Sequence, residues 1–541
     1  MTRPGPRDFV IDTPAGDESA QDLLAAALAA LSPSFTLSPE PAETARGAHR
    51  RTWLDTFDWR LYRAGLMLQV EQERQGSRLL LSKADGTPQA GQPVTGWPRR
   101  PALAEDLPEG PVRDRIMALI RPRALLPIVR AVSAAGVTRL LNADGKVVAR
   151  LVAEHITVTA PSAAGSRTTA GTTAELPPRL TVTEVRGYPG QARKAASLLA
   201  AAPGVSLASQ GVFATALTAL GRHPGDYTGG VDAEITATMP APVAVAGLLL
   251  RLLDTLELNV DGVLRDIDTE FLHDLRVAVR RTRSAIKLLG EVLPADLTEH
   301  YKTEFKWLGD LTTPTRDLDV HLLGFGPMTA QLVAASPADL EPLRAFLVRR
   351  RAREFRRLAP ALRGPRFRAV TDDWRKALLE IRDVGGARRR RLTAVALAVA
   401  TTGRAFRRIA AQGSAITPSS PPESLHDLRK RTKELRYLLE FFAPLHDPVA
   451  YRKVVGDLKQ LQDCLGDFQD SEVQREEIRT LADAMLAERA APAATLLAMG
   501  EIAAKLTLSQ AEARADFAGR FARFAGPAGR ERVRVLLEGR R

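Results

Sequence analysis

A four-residue motif occurs twice in this chain, and each copy is followed by basic residues at helical spacing. The letters HDLR at residues 273–276 return at residues 426–429, an offset of 153 residues. The same offset carries Asp317 onto Asp470 and Val320 onto Val473. A chance match would not keep this register over so long a stretch. The sequence therefore predicts a duplicated structure, with repeats near residues 240–385 and 386–541.

The basic residues of each copy step by three or four positions, which places them on one face of an α-helix. Rows of arginine forks and lysine charges at that spacing suit a long phosphate polymer, which offers charge but no bases or rings. An exposed ion pair contributes only about 0 to 1 kcal/mol, so useful affinity requires many contacts. These stripes consist of His273, Arg276, Arg280, Arg283 and Lys287 in the first copy and His426, Arg429, Lys433 and Arg436 in the second.

The composition is that of a globular protein with anionic partners. The chain has 541 residues, which predicts two or three domains, and its formal net charge is +13. Phosphate polymers, nucleic acid and acidic membrane surfaces are all compatible with that charge. The single cysteine, Cys464, excludes an intramolecular disulfide and is expected to be a buried small apolar residue. No run approaches the roughly 20 apolar residues of a membrane span, and residues 23–31 lack the basic flank of a signal peptide, so we expect a cytoplasmic protein.

The chain divides into two parts with different patterns. Residues 1–220 mix helices with short strands, whereas residues 235–541 are almost continuously helical in period; the Gly- and Pro-containing residues 221–234 are predicted as a linker. The first part is predicted to be α+β with an antiparallel sheet, with strands at residues 66–71, 78–83, 147–159 and 180–185 and a hairpin near residues 142–145. Prolines are expected to end the helices of the second part, Pro314 and Pro360 among them. The second part is predicted to consist of two related helical bundles.

The repeated motif resembles the CHAD domain, the conserved-histidine α-helical family. The similarity rests on residues 271–283, 316–320 and 425–437, in order, and spans residues 235 to about 530. This resemblance implies two helical bundles related by a pseudo-twofold axis that bind inorganic polyphosphate, and it adds Arg281, Arg316 and Lys430 to the candidate binding residues. Gln469 stands where the first repeat has Arg316, so the two halves of the site are not expected to be fully equivalent.

The N-terminal part resembles the CYTH, or triphosphate tunnel, domain at residues 54–61, 64–68 and 81–83. The resemblance implies an antiparallel β-tunnel that hydrolyses triphosphates with basic residues and a carboxylate-bound metal. The opening Glu-x-Glu-x-Lys signature would fall at Pro4, Pro6 and Asp8, and Gln69 and Glu71 replace a basic pair. Because metal-assisted phosphoryl chemistry needs clustered carboxylates and a charge clamp, we expect a degenerate domain that keeps the fold and has lost catalysis, with no catalytic residue, metal or cofactor.

The leading hypothesis is therefore polyphosphate binding without catalysis, in the cytoplasm, with association to polyphosphate granules implied by the family resemblance. One alternative is a metal-dependent triphosphatase or polyphosphatase that uses the N-terminal tunnel. A second alternative is a nucleic-acid-binding module, although single-strand binders usually interleave aromatic residues with cations and the aromatic content is only 5%. A direct phosphate contact by His273 and His426 stays open beside a capping or packing role.

The helical part contains two further sets of charged residues, aspartates and arginines, and the arginines could belong to the site or to ordinary surface. Asp317, Asp319 and Asp470 are expected to hold arginines in place and not to bind a cation. Additional arginines could widen the anionic track, and they occur at residues 349–351, 353, 356 and 357, at 388–391, and at 404, 407 and 408.

Overall fold

The computed structural model describes residues 7–12, 19–40, 49–73, 76–95, 101–161, 171–231, 233–384 and 392–538. The chain folds into two compact units, Met1–Gly229 and Gly230–Arg541. Pro4, Pro6 and the arginines at 388–391 lie outside the described residues. In the described part of the chain, no helix combines the length and the apolar character that a membrane crossing requires.

The first unit is an α+β domain built on one antiparallel sheet, as predicted. The sheet order is β11-β1-β10-β8-β7-β3-β4-β5-β6, with β2 added to β7 and β9 added to β8. The predicted hairpin at residues 142–145 joins β7 and β8, where Gly145 takes a positive φ of 72°. The strands are β1 (Arg7–Ile11), β2 (Thr36–Pro39), β3 (His49–Thr56), β4 (Leu66–Glu73), β5 (Gly76–Lys83), β6 (Pro88–Val94), β7 (Leu125–Leu141), β8 (Val147–Thr159), β9 (Thr173–Glu175), β10 (Arg179–Glu184) and β11 (Val205–Leu207).

Helices pack against parts of this sheet and complete its hydrophobic cores. They are α1 (Ser19–Leu31), α2 (Arg60–Arg63), α3 (Pro111–Ile120), α4 (Pro189–Ala200) and α5 (Val212–Ala219). The start of the segment predicted as a linker packs on the same unit. Trp59 Nε1 donates to Asp226 Oδ1 over 2.8 Å, and the rings of Phe57 and Tyr227 lie 4.3 Å apart. The division between the units follows directly after these contacts.

The second unit is entirely helical in its described residues. Its helices are α6 (Ala241–Leu264), α7 (Thr269–Leu289), α8 (Ala295–Leu323), α9 (Phe325–Thr329), α10 (Glu341–Arg363), α11 (Pro365–Val384), α12 (Ala394–Ser414), α13 (Pro422–Phe441), α14 (Pro448–Ala487), α15 (Ala493–Ala525) and α16 (Pro527–Glu538). The buried Cys464, on α14, donates to the carbonyl of Ala513, and burial raises the pKa of its thiol to about 11.

The helices of this unit follow the 153-residue repeat at their first residues. The starts of α6 and α12, of α7 and α13, and of α8 and α14 are each 153 residues apart, and so are the short 3-10 turns at residues 290–292 and 443–445. The duplication is therefore a property of the fold and not only of the motif.

An axis of approximate twofold symmetry passes between α6 and α12. Pro240 and Thr393, which are 153 residues apart, form a β-bridge with each other. The two hydrogen bonds that flank this bridge are also exchanged by the offset, since Ala241 N donates to Leu392 O over 2.9 Å and Ala394 N donates to Met239 O over 2.8 Å. Equivalent residues can meet in this reciprocal way only close to a twofold axis.

The prediction that Pro314 and Pro360 end helices is wrong. Pro314 lies inside α8 and Pro360 inside α10. Both prolines are exposed, so the carbonyl that loses its amide partner can bond to water on the solvent side, where long helices also bend. Each helix continues past the proline.

Candidate functional site

The two HDLR motifs lie on α7 and α13, which pack against each other. Arg281 Nη2 of α7 pairs with Glu440 Oε2 of α13 over 2.9 Å, and Lys287 Nζ of α7 pairs with Glu434 Oε1 of α13 over 2.5 Å. The offset of 153 residues carries Arg281 onto Glu434 and Lys287 onto Glu440, so each ion pair is the symmetry image of the other. The two helices are thus joined across the axis by two ion pairs, with both cations on α7 and both carboxylates on α13.

A cluster of cations is centred on Lys433, a half-buried residue of α13. The pKa of Lys433 is lowered to about 8 because burial removes water from its ammonium group and because Arg429 and Arg280 add positive potential. Arg436 acts in the same direction, whereas Asp470 opposes it. Arg280 comes from α7 and is the 153-residue counterpart of Lys433. The two basic stripes therefore meet at one place and share one electrostatic field.

The first stripe continues from this cluster toward α8. Burial lowers the pKa of Arg276, and Asp317 opposes that effect, while Arg280, Arg316 and Arg283 add repulsion. Arg276 Nη1 donates to Gly309 O over 3.1 Å, Thr312 Oγ1 over 2.9 Å and Thr313 Oγ1 over 2.8 Å. These acceptors lie just before Pro314. Arg276 therefore braces α8 beside its proline, while it also adds charge to the cluster.

Arg280 and Arg283 are exposed residues of α7. In the described part of the chain neither forms an ion pair; the Arg280 guanidinium lies 5.9 Å from the centre of the Tyr437 ring. A Cβ atom on Gly309 would lie only 3.1 Å from Arg283 Nη1, so the glycine lets that guanidinium rest against α8. These two residues, with Lys433, supply cationic charge that no direct ion pair of the described residues neutralises.

The second stripe is partly held by acidic neighbours. Arg429 Nη2 pairs with Asp470 Oδ1 over 2.9 Å, and Arg436 Nε with Glu440 Oε1 over 2.8 Å. Lys430 pairs with Asp427 over 3.2 Å, at a point where both side chains are about 60% exposed. Exposed pairs of this kind are weak and can exchange for an incoming phosphate.

The two histidine environments differ. His426 Nδ1 lies 2.5 Å from Gln469 Oε1, so the residue that breaks the repeat holds the histidine of its own half. In the first repeat, Arg316 at the equivalent position donates from Nη1 to the carbonyl of Thr269 over 3.0 Å and lies 3.8 Å from Glu270. His273 is half-buried on the first turn and a half of α7. The loss of full equivalence expected from Gln469 is thus visible in the contacts.

The expectation that the repeat aspartates hold arginines is confirmed at two positions. Asp470 pairs with Arg429, and the buried Asp319 accepts from Arg351 Nε over 2.7 Å. Arg351 also donates both terminal nitrogens to Asp266, over 2.6 Å each. Arg351, one of the arginines at residues 349–357, is therefore paired with two carboxylates and does not widen the proposed anion-binding surface.

Two arginines of the third basic group border the candidate site. Arg404 and Arg408 line a cavity of about 140 Å³ together with Arg431 and Lys287, the last cation of the first stripe. Glu291 and Glu434 lie in the same wall. This cavity lies at the C-terminal end of α7, beside Lys287.

Sequence reasoning missed the carboxylates that face α7. Glu434 and Glu440 lie 153 residues after Arg281 and Lys287. At these two repeat positions the first repeat therefore has a cation and the second has a carboxylate. Tyr437 beneath Arg280 was recognised only as the single aromatic residue of the stripe. Thr312 and Thr313 accept hydrogen bonds from Arg276, but no motif or repeat in the sequence marks them.

In the N-terminal unit, the sheet face that carries Trp53 is largely apolar. Trp53 stacks on Phe213 of α5 with ring centres 5.6 Å apart, within a core that includes Val129 and Ile156. The charged residues nearby pair with each other, as Arg51 does with Glu154 over 2.8 Å. Among the described residues, no group of three or more His, Cys, Asp or Glu side chains is arranged to hold a metal ion.

Comparison with known proteins identifies the helical unit. The CHAD domain family model matches residues 247–479, which contain both motifs and both stripes. The second unit therefore contains a CHAD domain, as the motif resemblance indicated. No curated protein sequence matches the chain.

Three solved structures are similar to parts of the chain. The CHAD domain from the plant Ricinus communis has 26% identity and a TM-score of 0.46, and the match covers 54% of this chain and 96% of that one. PptA from Streptomyces chartreusis has 18% identity and a TM-score of 0.40, with 52% and 99% covered. A Hippeastrum protein, described as an adenylyl cyclase with a dominant triphosphatase activity, has 14% identity and a TM-score of 0.23, with 41% and 99% covered.

Proposed function

We propose that the CHAD domain of this chain binds inorganic polyphosphate along α7 and α13 and performs no chemistry on it. The observation that carries the proposal is that the basic stripes of α7 and α13 meet around the half-buried Lys433, where the two helices are joined by ion pairs. Burial and the arginines of both stripes lower the pKa of this lysine. A protein that gathers cations from two helices around a half-buried lysine is destabilised by their repulsion. A bound polyanion would relieve that repulsion.

The proposed contacts fall into groups with different roles. Arg280, Arg283 and Lys433 bind phosphate first, because no carboxylate of the described residues neutralises them by direct pairing. Arg429, Arg436 and Lys430 join by exchanging weak pairs with Asp470, Glu440 and Asp427. His273 and His426 flank the track at the starts of the two helices.

The remaining candidates act mainly on the shape of the site. Arg276 braces α8, Arg316 holds the start of α7, and Arg281 and Lys287 join α7 to α13. Their charges still add to the potential at the groove, because Coulomb attraction extends about 8 to 10 Å at moderate salt. The protein thus combines a fixed scaffold of paired cations with a smaller set available to the ligand.

The geometry favours an inorganic polymer over single-stranded nucleic acid. Nucleic-acid stacking needs an exposed aromatic face beside the cations. Tyr437, the one aromatic residue in the second stripe, is only 7% exposed and lies under Arg280, with Phe441 stacked nearby. The cations of the groove can therefore hold phosphates, while no base platform accompanies them among the described residues of the two stripes.

The test is a competition experiment on the full chain with charge-reversal variants. Arg280→Glu combined with Arg283→Glu should weaken binding of long-chain polyphosphate by at least tenfold, and long-chain polyphosphate should displace a fluorescent single-stranded RNA at low concentration. The matched control is Arg344→Glu with Arg479→Glu, which changes the same charge at two exposed positions outside the groove. Equal losses in the two double variants would show that only net charge matters.

We propose in addition that the N-terminal unit keeps an antiparallel tunnel-like sheet without hydrolytic activity. The stacking of Trp53 on Phe213 and the mutual pairing of Arg51 with Glu154 leave that face without a cluster of uncompensated charges. Incubation of the full chain with triphosphate or ATP and Mg²⁺ or Mn²⁺ should release no phosphate. Polyphosphate binding would place the protein on polyphosphate granules in the cytoplasm, which a fluorescent fusion would reveal.

A further inference from the structure

A second cationic cavity lies in the second repeat, between α14, α15 and α16. Its volume is about 680 Å³, and four basic residues line it: Arg452, Lys453, Arg523 and Arg532. Among the described residues that line it, Asp457 is the only carboxylate. The cavity therefore carries a net positive charge of about three, without any residue of the HDLR stripes.

Asp457 forms ion pairs with two of these arginines, one through each carboxylate oxygen. Its Oδ1 lies 3.1 Å from Arg523 Nε, and its Oδ2 lies 2.7 Å from Arg532 Nε. The Asp457 side chain is only 11% exposed, so its contacts are mainly with the two arginines and only slightly with solvent. Because both contacts use Nε, the terminal nitrogens of Arg523 stay available as donors beside the cavity. Arg532 Nη2 donates to the carbonyl of Arg523 over 2.9 Å, so Arg523 is the one of the two with both terminal nitrogens available. A guanidinium group held through Nε in this way suits the bidentate recognition of phosphate.

The other walls allow a ligand to come close. Gly456 lies on the cavity side of α14, and a Cβ atom placed on it would meet nothing within 4 Å. Pro527 and Ala528, at the first turn of α16, also line the cavity, so the positive end of that helix dipole faces the same space. The lining contains no aromatic side chain in the part of the chain that the structure describes. The chemistry suits compact phosphates and offers no platform for a nucleobase.

The cavity is not a product of the duplication. On α8, the 153-residue counterparts of Arg452, Lys453 and Asp457 are Glu299, His300 and Glu304. Glu299 pairs with Lys302, and Glu304 pairs with Arg366. The first repeat thus has a carboxylate where the second has the exposed Arg452, so the cationic cavity belongs to the second repeat alone.

We propose that this cavity binds a compact, multiply phosphorylated anion, separately from the polymer groove. A short inorganic phosphate chain and a phosphorylated small metabolite share the required chemistry, since each presents two or three phosphates within a few ångströms. Arg452 and Lys453 attract the ligand from solvent, and the arginines fixed by Asp457 orient it. The site does not depend on what the groove binds.

The experiment measures binding of inorganic triphosphate, and in parallel fructose 1,6-bisphosphate, to the full chain by calorimetry. Arg452→Glu with Lys453→Glu should weaken the binding of at least one of these ligands by at least tenfold and leave long-chain polyphosphate affinity within about twofold. Gly456→Leu, which places a side chain inside the cavity and keeps every charge, should also weaken that binding. Thermal melts of both variants would confirm that they fold.

The groove variants provide the comparison. Arg280→Glu with Arg283→Glu should leave the small-ligand affinity within about twofold while long-chain binding falls. Small-ligand binding that survives Gly456→Leu would overturn the proposal, because surface charge would then suffice without the cavity. Loss of that binding in the groove variant alone would also overturn it. Failure of long-chain binding in the unmodified chain would instead refute the proposed function and leave the cavity intact. Tighter binding of triphosphate than of the sugar phosphate would assign the ligand to inorganic chains, and the reverse to metabolites.

Discussion

Polyphosphate binding to this protein should weaken as pH rises from 7 to 9, because Lys433 must be charged to hold the ligand. Its pKa of about 8 lies well below the ordinary lysine value of 10.5. About nine tenths of the free protein therefore carries a protonated Lys433 at pH 7, and about one tenth does so at pH 9. If the polymer binds only the charged form, apparent affinity falls about tenfold, or about 1.4 kcal/mol, over this interval.

The ligand should in turn restore the pKa of Lys433, because bound phosphates replace repulsion by arginines with attraction. Binding at pH 8 is then accompanied by uptake of about half a proton for each groove occupied. Calorimetry in two buffers of different ionisation enthalpy measures that uptake directly. A long polymer is the right probe, since its few terminal phosphates titrate near pH 6 by analogy with phosphate monoesters.

Lys433→Arg is the matched variant, because it keeps the charge and removes the titration in this range. Its affinity should change by less than twofold between pH 7 and pH 9, at constant ionic strength. A flat profile for the unmodified protein would refute the reasoning, since it would mean that Lys433 is either fully charged or not in contact with the ligand. An equally steep profile for the arginine variant would point to another titrating group.

Three other outcomes follow from the contacts. Lys433→Met should raise the melting temperature at pH 7, and the gain should shrink as pH rises toward 10, because between pH 8 and 10.5 the unfolded chain binds more protons at this lysine than the folded one. Arg276→Met should lower the free energy of unfolding by about 1 to 3 kcal/mol in a urea titration, since α8 loses the guanidinium group that donates to Gly309 O, Thr312 Oγ1 and Thr313 Oγ1; a loss in binding with unchanged stability would show that the bracing role is wrong. Glu434→Gln should strengthen polyphosphate binding and steepen its salt dependence by about 0.7 in the slope of log K against log salt, because Lys287 then becomes available to one more phosphate; an unchanged slope would mean that Lys287 never reaches the polymer.

The sequence predicted the parts of the fold that depend on periodic patterns. The constant offset between the two HDLR motifs predicted the duplication. In the structure, the same offset separates the first residues of three pairs of helices. The strands at residues 66–71, 78–83 and 147–159 were predicted because alternating apolar residues and turn residues mark them. The 17-residue strand β7 was not predicted, since its middle, around Gly136, lacks the pattern of a strand buried on one face.

The site was only partly predictable, because a stripe of cations does not reveal what each cation touches. Helical spacing placed Arg276 and Arg280 on one face, but only the structure distinguishes Arg276, which is bonded to Thr312, from the exposed Arg280. Partners far apart in sequence, such as Arg281 and Glu440, are brought together by tertiary packing. Pro314 was misassigned for a related reason, since its tolerance inside α8 depends on solvent exposure that local sequence does not state.

The pairing of α7 with α13 also bears on how the chain assembles during synthesis. The first repeat emerges from the ribosome before the second exists, and two such repeats from neighbouring chains could in principle dock on each other. That arrangement would set Arg281 of one copy against Lys287 of the other, and two second repeats would set Glu434 against Glu440. Like charges at these positions oppose both mistakes. Each repeat is therefore complementary in charge to the other repeat and not to a second copy of itself.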